Sequence, residues 1–489
     1  MPFAFSKLQI TFLLLLKIVA CEGEGNSSNA TQPEPDCLGS QATDIEINKA
    51  LRSGGQSATV LLCQEARINL NNPIIFSAAN QSLYTTGRPL GTQQATLVVM
   101  GKNMSTAVVG TCKACSGVQL SFVEINGNRP GLGWIDGRRG GGALLEFGGD
   151  TRDQIIEFVR AYEPRSWSVL HAQEGSKPNT AQSCSGMIIR NNYFGPAGIS
   201  PNQGVQFPGH PKANIPLKQY YLTPQNDNSK GNFFTPGTSE ESHFSSKQKL
   251  RGKRHADGVY PAGQWADGIS LACPNSHVYN NFVVDATDGG IVIFGAPGTQ
   301  VRFNVIKVQN RNMLGGINLV DFEPFHGNYT GVLVADNLLI TEGAMIKVGI
   351  AMGTMVWGSK NSTSYRNYGA TVRNNVFGSG DNGYFGYGIA LSGFNSTNVY
   401  SNIFLPGTKF DGRLTSACIN APGKLPTPRN LTYDVFTTYR AEPQPSMTSD
   451  NLVFLICIAP VDARDSINFQ PTPYCRRKRR RTKISKLLH

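Results

Sequence analysis

An all-β parallel solenoid, or β-helix, is the fold class this sequence predicts, and two interleaved phrases and their spacing predict it. Six times an aliphatic residue is followed three positions later by asparagine and two after that by another apolar residue. The copies are Ile189/Asn192/Phe194, Val278/Asn281/Val283, Val301/Asn304/Ile306, Val334/Asn337/Leu339, Val372/Asn375/Phe377 and Val399/Asn402/Phe404. A second phrase, Gly-Ile-x-Leu or Gly-Ile-x-Ile, begins at Gly268, Gly290, Gly316 and Gly388. Its first three copies lie 22 and 26 residues apart, one coil of a solenoid rather than one helical hairpin.

Each phrase reads as a short strand with alternate apolar side chains in one core, hydrogen-bonded to the equivalent strand of the next coil about 4.8 Å away. A turn at the asparagine leaves backbone donors and acceptors unpaired, and a stacked column of Asn amides satisfies them. Glycine is expected where the chain bends into a conformation that other residues resist. The phrases resemble the pectin-lyase-like right-handed parallel β-helix superfamily, roughly from Gln41 to Pro460. That resemblance implies a single-stranded solenoid whose exterior binds linear polysaccharide.

Ahead of the coils, Lys7 precedes the apolar run Ile10 to Ala20, which is too short to span a bilayer. Residues 1–20 are therefore expected to be a signal peptide and 21–36 a polar linker. Thr43 and Glu46 form a capping-box pair before Ile47, Ala50 and Leu51, predicting a short helix that ends at Gly54-Gly55 and plugs the first coil. Strands are expected at Thr59 to Leu62, Ile74 to Phe76, Thr96 to Met100, Val118 to Ile125 and Ala143 to Phe147, in coils less regular than the later ones. The β-helix domain is expected over 37–460, interrupted at 199–264 by a Pro-, Gly- and Lys-rich insertion or lid. Within it, Arg251-Gly252-Lys253-Arg254 resembles a dibasic processing site as much as a basic loop. Leu452 to Ile458 is expected to cover the last coil, before a basic tail over 461–489.

The formal net charge of +12 excludes less than it suggests, because eight of the charges lie in that tail between Arg476 and Lys486. The body is nearly neutral, and neither a nucleic-acid partner nor a membrane anchor is expected. Secretion agrees with the Asn-x-Ser/Thr sequons at Asn26, Asn29, Asn80, Asn103, Asn328, Asn361, Asn395 and Asn430. Cys37, Cys63, Cys112, Cys115, Cys184, Cys273, Cys418, Cys457 and Cys475 are expected to form disulfides, with Cys112-Lys113-Ala114-Cys115 as a short-loop pair and Cys475 left over.

Register places the candidate chemistry. The turn between the asparagine phrase and the glycine phrase carries Asp285 and Asp288, then Arg311, Glu342 and Asp381 in later coils. Asp267 directly precedes Gly268, so it and Asp288 fall in neighbouring coils, offset by one residue. Paired carboxylates at that separation cleave glycosidic bonds, one protonating the leaving oxygen and one activating water or attacking carbon. Asp267, Asp285 and Asp288 are thus the candidate catalytic residues, and Arg311, Lys347 and Glu342 the candidate substrate-binding ones. No cofactor is required for hydrolysis. The same acids could hold Ca²⁺ while Lys347 or Arg311 abstracts a proton beside a sugar carboxylate, as in a lyase or epimerase.

Ordinary turn chemistry competes, since Asp before Gly recurs at Asp136, Asp257 and Asp411. His277, Glu323 and His326 are weaker candidates. The polygalacturonase set of Asn-Thr-Asp, Asp-Asp, Gly-His-Gly and Arg-Ile-Lys is represented only by Ala266-Asp267-Gly268 and Thr287-Asp288-Gly289. Trp134-Ile135-Asp136-Gly137 lacks the histidine of the pectate-lyase motif. The expectation is a secreted, monomeric protein acting on a polysaccharide, with hydrolase ahead of lyase or epimerase and a non-catalytic glycan-binding solenoid as the alternative.

Overall fold

Three stacked sheets carry the chain. The computed structural model describes residues 36–135, 141–178, 180, 183–198, 265–356, 365–414, 427–449, 458–459 and 461. The stretches expected to be a signal segment, an insertion and a basic tail lie outside them, as do the sequons at Asn26, Asn29 and Asn361 and Cys418, Cys457 and Cys475. The first sheet runs through ten strands from Thr59–Leu62 to Asn398–Tyr400, and the second through ten from Arg67–Leu70 to Ile403–Phe404. The third has eleven, from Ile74–Ile75 to Thr448–Ser449. Every strand in these sheets pairs in parallel with its counterpart one coil away, the topology of a right-handed parallel β-helix. Apolar side chains from all three sheets, such as Leu120, Ile156, Val301, Ile306 and Ile317, meet in one continuous core.

The asparagine phrase spans two strands rather than one. Val278 lies in His277–Tyr279 of the first sheet, Val283 in Phe282–Val284 of the second, and Asn281 at the bend between them. Each ladder asparagine is no more than 3% exposed. Asn304 shows the pattern: its Nδ2 donates to Val278 O of the preceding coil at 2.9 Å and to Asn337 Oδ1 of the next at 3.0 Å, while its own N–H donates to Asn337 Oδ1 at 3.0 Å. The Oδ1 of Asn304 in turn accepts from the N–H and Nδ2 of Asn281 at 3.1 and 2.9 Å. The column opens where Val159 N–H donates to Asn192 Oδ1 and closes on Gln444, whose Oε1 accepts from Asn402 N–H at 2.9 Å.

The residue before each ladder position is left-handed, including Asn191 at φ 56°, Asn280 at 56°, Phe303 at 56° and Asp336 at 59°. Asn and Asp adopt that conformation at modest cost. In two early coils the same place is taken by Phe122 and Phe158, whose rings stack at 4.5 Å. The first coils are thus less regular in sequence yet pair in the same three sheets. They include strands the periodicity does not reveal, among them Arg67–Leu70, Arg160–Tyr162 and Ser168–Gln173. The stretch from Val118 to Ile125 is two strands, Gln119–Ser121 and Val123–Asn126, divided at Phe122.

The helix Asp44–Gly54 forms with both halves of its capping box, Glu46 N–H to Thr43 Oγ1 at 3.3 Å and Thr43 N–H to Glu46 Oε2 at 2.8 Å. Ile47 and Leu51 are fully buried on the first coil. Disulfides join Cys37 to Cys63, Cys112 to Cys115, and Cys184 to Cys273, the last linking chain before residues 199–264 to chain after them. Of the expected final covering segment only Ile458 is described, buried at 1% exposure.

Replacing Asn304 by leucine strands backbone and amide partners in two neighbouring coils. The expected loss is about 1–3 kcal/mol for each buried group left unpaired, read as a lower midpoint in chemical denaturation. An unchanged midpoint would show that the ladder does not hold the coils in register.

Candidate active site on the outer face of the third sheet

Two columns prepare this face. On the inner side, Ile269, Ile291, Ile317, Ile350 and Ile389 enter the core. The glycines before them were expected to permit a bend, but the φ angles of Gly268, Gly290 and Gly316 are not left-handed. Space is the actual reason. A Cβ on Gly268 would lie 2.4 Å from Val283 Cγ1, and one on Gly316 would lie 2.6 Å from Leu339 Cδ2 and 2.5 Å from Gly349 O. On the outer side, register aligns Glu146, His171, Ser270, Val292 and Asn318 across successive coils.

Asp267 opens the strand Asp267–Leu271, and the pairing of Ile269 with Ile291 sets it opposite Gly289. Asp288 therefore stands one residue out of register in the next coil, as the spacing predicts. Asp267 Oδ1 accepts the Gly289 N–H at 2.7 Å, and its Oδ2 lies 2.7 Å from Ser270 Oγ. Ser270 Oγ is also 2.9 Å from Ser168 Oγ, which donates to Leu170 O at 2.9 Å.

Burial raises the Asp267 carboxyl to about 7, even though Ser270, the Gly289 N–H and His171 pull it back down. Asp321 is pushed up to about 8, by burial and then by Asp267, and its Oδ2 has no hydrogen-bond partner. Asp288, partly buried, is raised well above the usual carboxylate range by desolvation, then by Asp267 and Asp321 when these are charged. Three carboxyls from three successive coils thus influence one another. Asp321, expected in the opposite turn, joins this set from two residues past the end of the strand Met313–Leu319.

The remaining candidates have other partners. Asp285 accepts the backbone N–H groups of Gln309, Asn310 and Arg311 at 2.7, 3.0 and 3.2 Å, so its carboxylate anchors the next coil's turn. Arg311 donates to Gly198 O and is ion-paired with Glu163. Glu342 pairs with Lys307 at 2.6 Å, a contact that lowers its carboxyl, and accepts from Gln309 Nε2 at 2.8 Å. Lys347 is buried and falls in the column of Asp288, two coils on, with Leu314 between. Asp381 is exposed, with its carbonyl accepting from Lys409 Nζ. His277 is exposed on the first sheet, and Glu323 and His326 form an exposed pair. Among the described residues no group of three or more His, Cys, Asp or Glu side chains is placed to hold a metal ion, which gives Ca²⁺ no such ligand set there.

Sequence reading passes over His171 entirely. Its Nδ1 lies 2.8 Å from Glu146 Oε2, and its Nε2 is buried without a partner. The available signal is a polar residue inside the apolar strand Ser168–Gln173, in a coil without the repeated phrases.

The raised carboxyl of Asp321 sets a sign for stability. Folded, it holds its proton to about 8, whereas unfolded it ionises near the ordinary value of about 4. Stability from this group is present below pH 4 and lost as pH rises to about 8. Asp321→Asn removes that dependence, so its melting temperature relative to wild type should rise by several degrees between pH 4.5 and pH 8. A constant difference would show that Asp321 ionises normally.

No protein-family model and no curated protein matches the sequence. Solved structures with related coil architecture include the A-module of a mannuronan C-5 epimerase from Azotobacter vinelandii, 13% identical, with a TM-score of 0.38 over 83% of this chain and 94% of that one. An endo-xylogalacturonan hydrolase from Aspergillus tubingensis is 10% identical, with a TM-score of 0.37 over 77% and 99%. The catalytic unit of a GH87 α-1,3-glucanase from Streptomyces thermodiastaticus is 10% identical, with a TM-score of 0.36 over 87% and 72%. The likeness is one of coil architecture alone.

Proposed function

We propose that this protein is a secreted, carbohydrate-active β-helix protein that hydrolyses a polysaccharide on the outer face of its third sheet. The observation that carries the reading is the set of Asp267, Asp288 and Asp321 on neighbouring coils, each with its proton held above the ordinary carboxylate range. Half-buried Asp288 is the member open to a sugar chain, and its retained proton suits it to protonate a leaving glycosidic oxygen. Asp267 and Asp321 strengthen that hold once either ionises, since two neighbouring buried charges are unfavourable. Secretion is supported by the segment Ile10 to Ala20, the three disulfides and the exposed sequon residues Asn80 and Asn103.

Hydrolysis is favoured over a lyase or epimerase reaction because the Arg311 guanidinium is held by Glu163 and Lys347 is buried. A non-catalytic glycan-binding solenoid is the second reading, favoured by Asp285, whose carboxylate serves a backbone turn. The two separate in a screen of purified protein against plant, fungal and algal polysaccharides, recording reducing ends and the absorbance of unsaturated products. For a substrate that yields reducing ends, Asp288→Asn should lower turnover about 10²–10⁴-fold with the melting temperature retained, because it removes the proton donor. Full activity in that variant would end the carboxylate reading, and binding without cleavage would favour the second.

A further inference from the structure

We propose that the outer face of the second sheet is an interface on which a second copy of this chain docks, related by a two-fold axis. Register lines up Tyr193, Phe282, Val305, Leu338, Val376 and Ile403 across six successive coils. The residue after each enters the core, as Val283, Ile306 and Leu339 do, so the six themselves point outward. Tyr193, Phe282 and Ile403 are 39%, 42% and 53% exposed. Ile340 and Leu405, one place beyond the core residues Leu339 and Phe404, widen the strip, and Leu405 leans over Gly378 of the coil before it.

Parallel strands that are apolar on both faces are ordinarily covered on both. The first sheet of the same coils is the contrast, because its outward places include His277, Gln300, Arg302, Thr371, Arg373 and Asn398, a face suited to water. Among the described residues of the six second-sheet strands the one charged side chain is Lys307, and it is paired with Glu342 at 2.6 Å. The described sequons also avoid the strip. Asn80, Asn328 and Asn395 lie on the approach to the first sheet, Asn430 is in the third, and Asn103 follows an early strand, several coils before Tyr193. Glycans attached at those places would leave the strip uncovered.

The chemistry of the strip selects its occupant. A sugar chain would find almost no donors or acceptors for its hydroxyls there, and a charged partner would find no free charge to pair with. A copy of the same strip satisfies it: a two-fold axis perpendicular to the face lays one run of aliphatic and aromatic side chains on the other, as two sheets pack about 10 Å apart. Five coil steps of about 4.8 Å make the strip about 24 Å long, and three strand residues make it about 10 Å wide. Each copy therefore contributes on the order of a few hundred Å², against about 800 Å² per partner in a standard interface, so the dimer is weak and concentration-dependent. This departs from the monomer expected from the sequence.

Sedimentation velocity of the full chain between about 1 and about 100 µM, the range in which a weak dimer forms, tests the proposal. The wild type should shift from monomer toward dimer as concentration rises. Phe282→Asp and Ile403→Asp, each placing an unpaired charge in the strip, should stay monomeric throughout with the melting temperature of the dilute wild type, while His277→Asp on the first sheet should associate as the wild type does. Val376→Thr keeps the side-chain shape and should weaken association several-fold, which preserves the test if the charged variants fail to fold. A wild type that remains monomeric overturns the proposal and leaves the strip to a different protein or to parts of this chain outside the described residues. Association that survives Phe282→Asp, Ile403→Asp and Val376→Thr overturns it too, because the contact then lies on another face.

Discussion

Coil register depends on the asparagine ladder. Each ladder amide donates to the coil before and the coil after and, beyond Asn192, accepts twice, so a coil that slipped by one residue would leave four buried hydrogen bonds unmade at Asn304 alone. With one bend pinned, the third sheet starts at a fixed place in every turn of the solenoid. The glycine column then brings that sheet against Val283, Ile306 and Leu339 of the second with no room for a Cβ. Asp267 faces Gly289, and Asp288 follows one residue out of step, because register leaves no alternative.

Polar struts finish the work near the candidate site. Asp285 collects three backbone N–H groups of the following coil, and Arg311, in that coil, reaches back to Glu163 and to Gly198 O. Together with the Cys184–Cys273 disulfide these contacts bind the coils on either side of the 199–264 insertion. The charged groups best placed to attract a substrate by sequence are thus largely used in holding the wall. The carboxyls left to face outward are raised by burial, so they act as reserves of protons rather than as fixed negative charges.

What is legible in the sequence is what repeats. The Asn phrase reports the ladder and the Gly phrase the third sheet, and their common register is enough to put Asp267 beside Asp288. The reason for the glycines is not legible, because a steric column and a left-handed bend leave the same letter in a sequence. Coils before Asn192 escape the phrase because Val123 and Val159 stand where later coils have the ladder asparagine. His171 and Glu146 lie there, which is why the pair is invisible until the strands are stacked. Asp321 is missed for a different reason: it sits past a strand end, where a pattern of alternating apolar residues carries no information. Arg311 and Asp285 are found in the expected turn, but their partners come from residues that only the stacked coils bring close.

The central claim is that Asp267, Asp288 and Asp321 form one proton-holding set on the outer face of the third sheet. Titration of the aspartate side-chain carboxyls by ¹³C NMR, assigned through the three single Asn variants, tests it most directly. The account predicts that these three carboxyls stay protonated at pH 6, with apparent midpoints of about 7 for Asp267 and about 8 for Asp321, and that removing Asp267 shifts the titration of the other two downward. Three independent titrations near the ordinary carboxylate value of about 4 would contradict it.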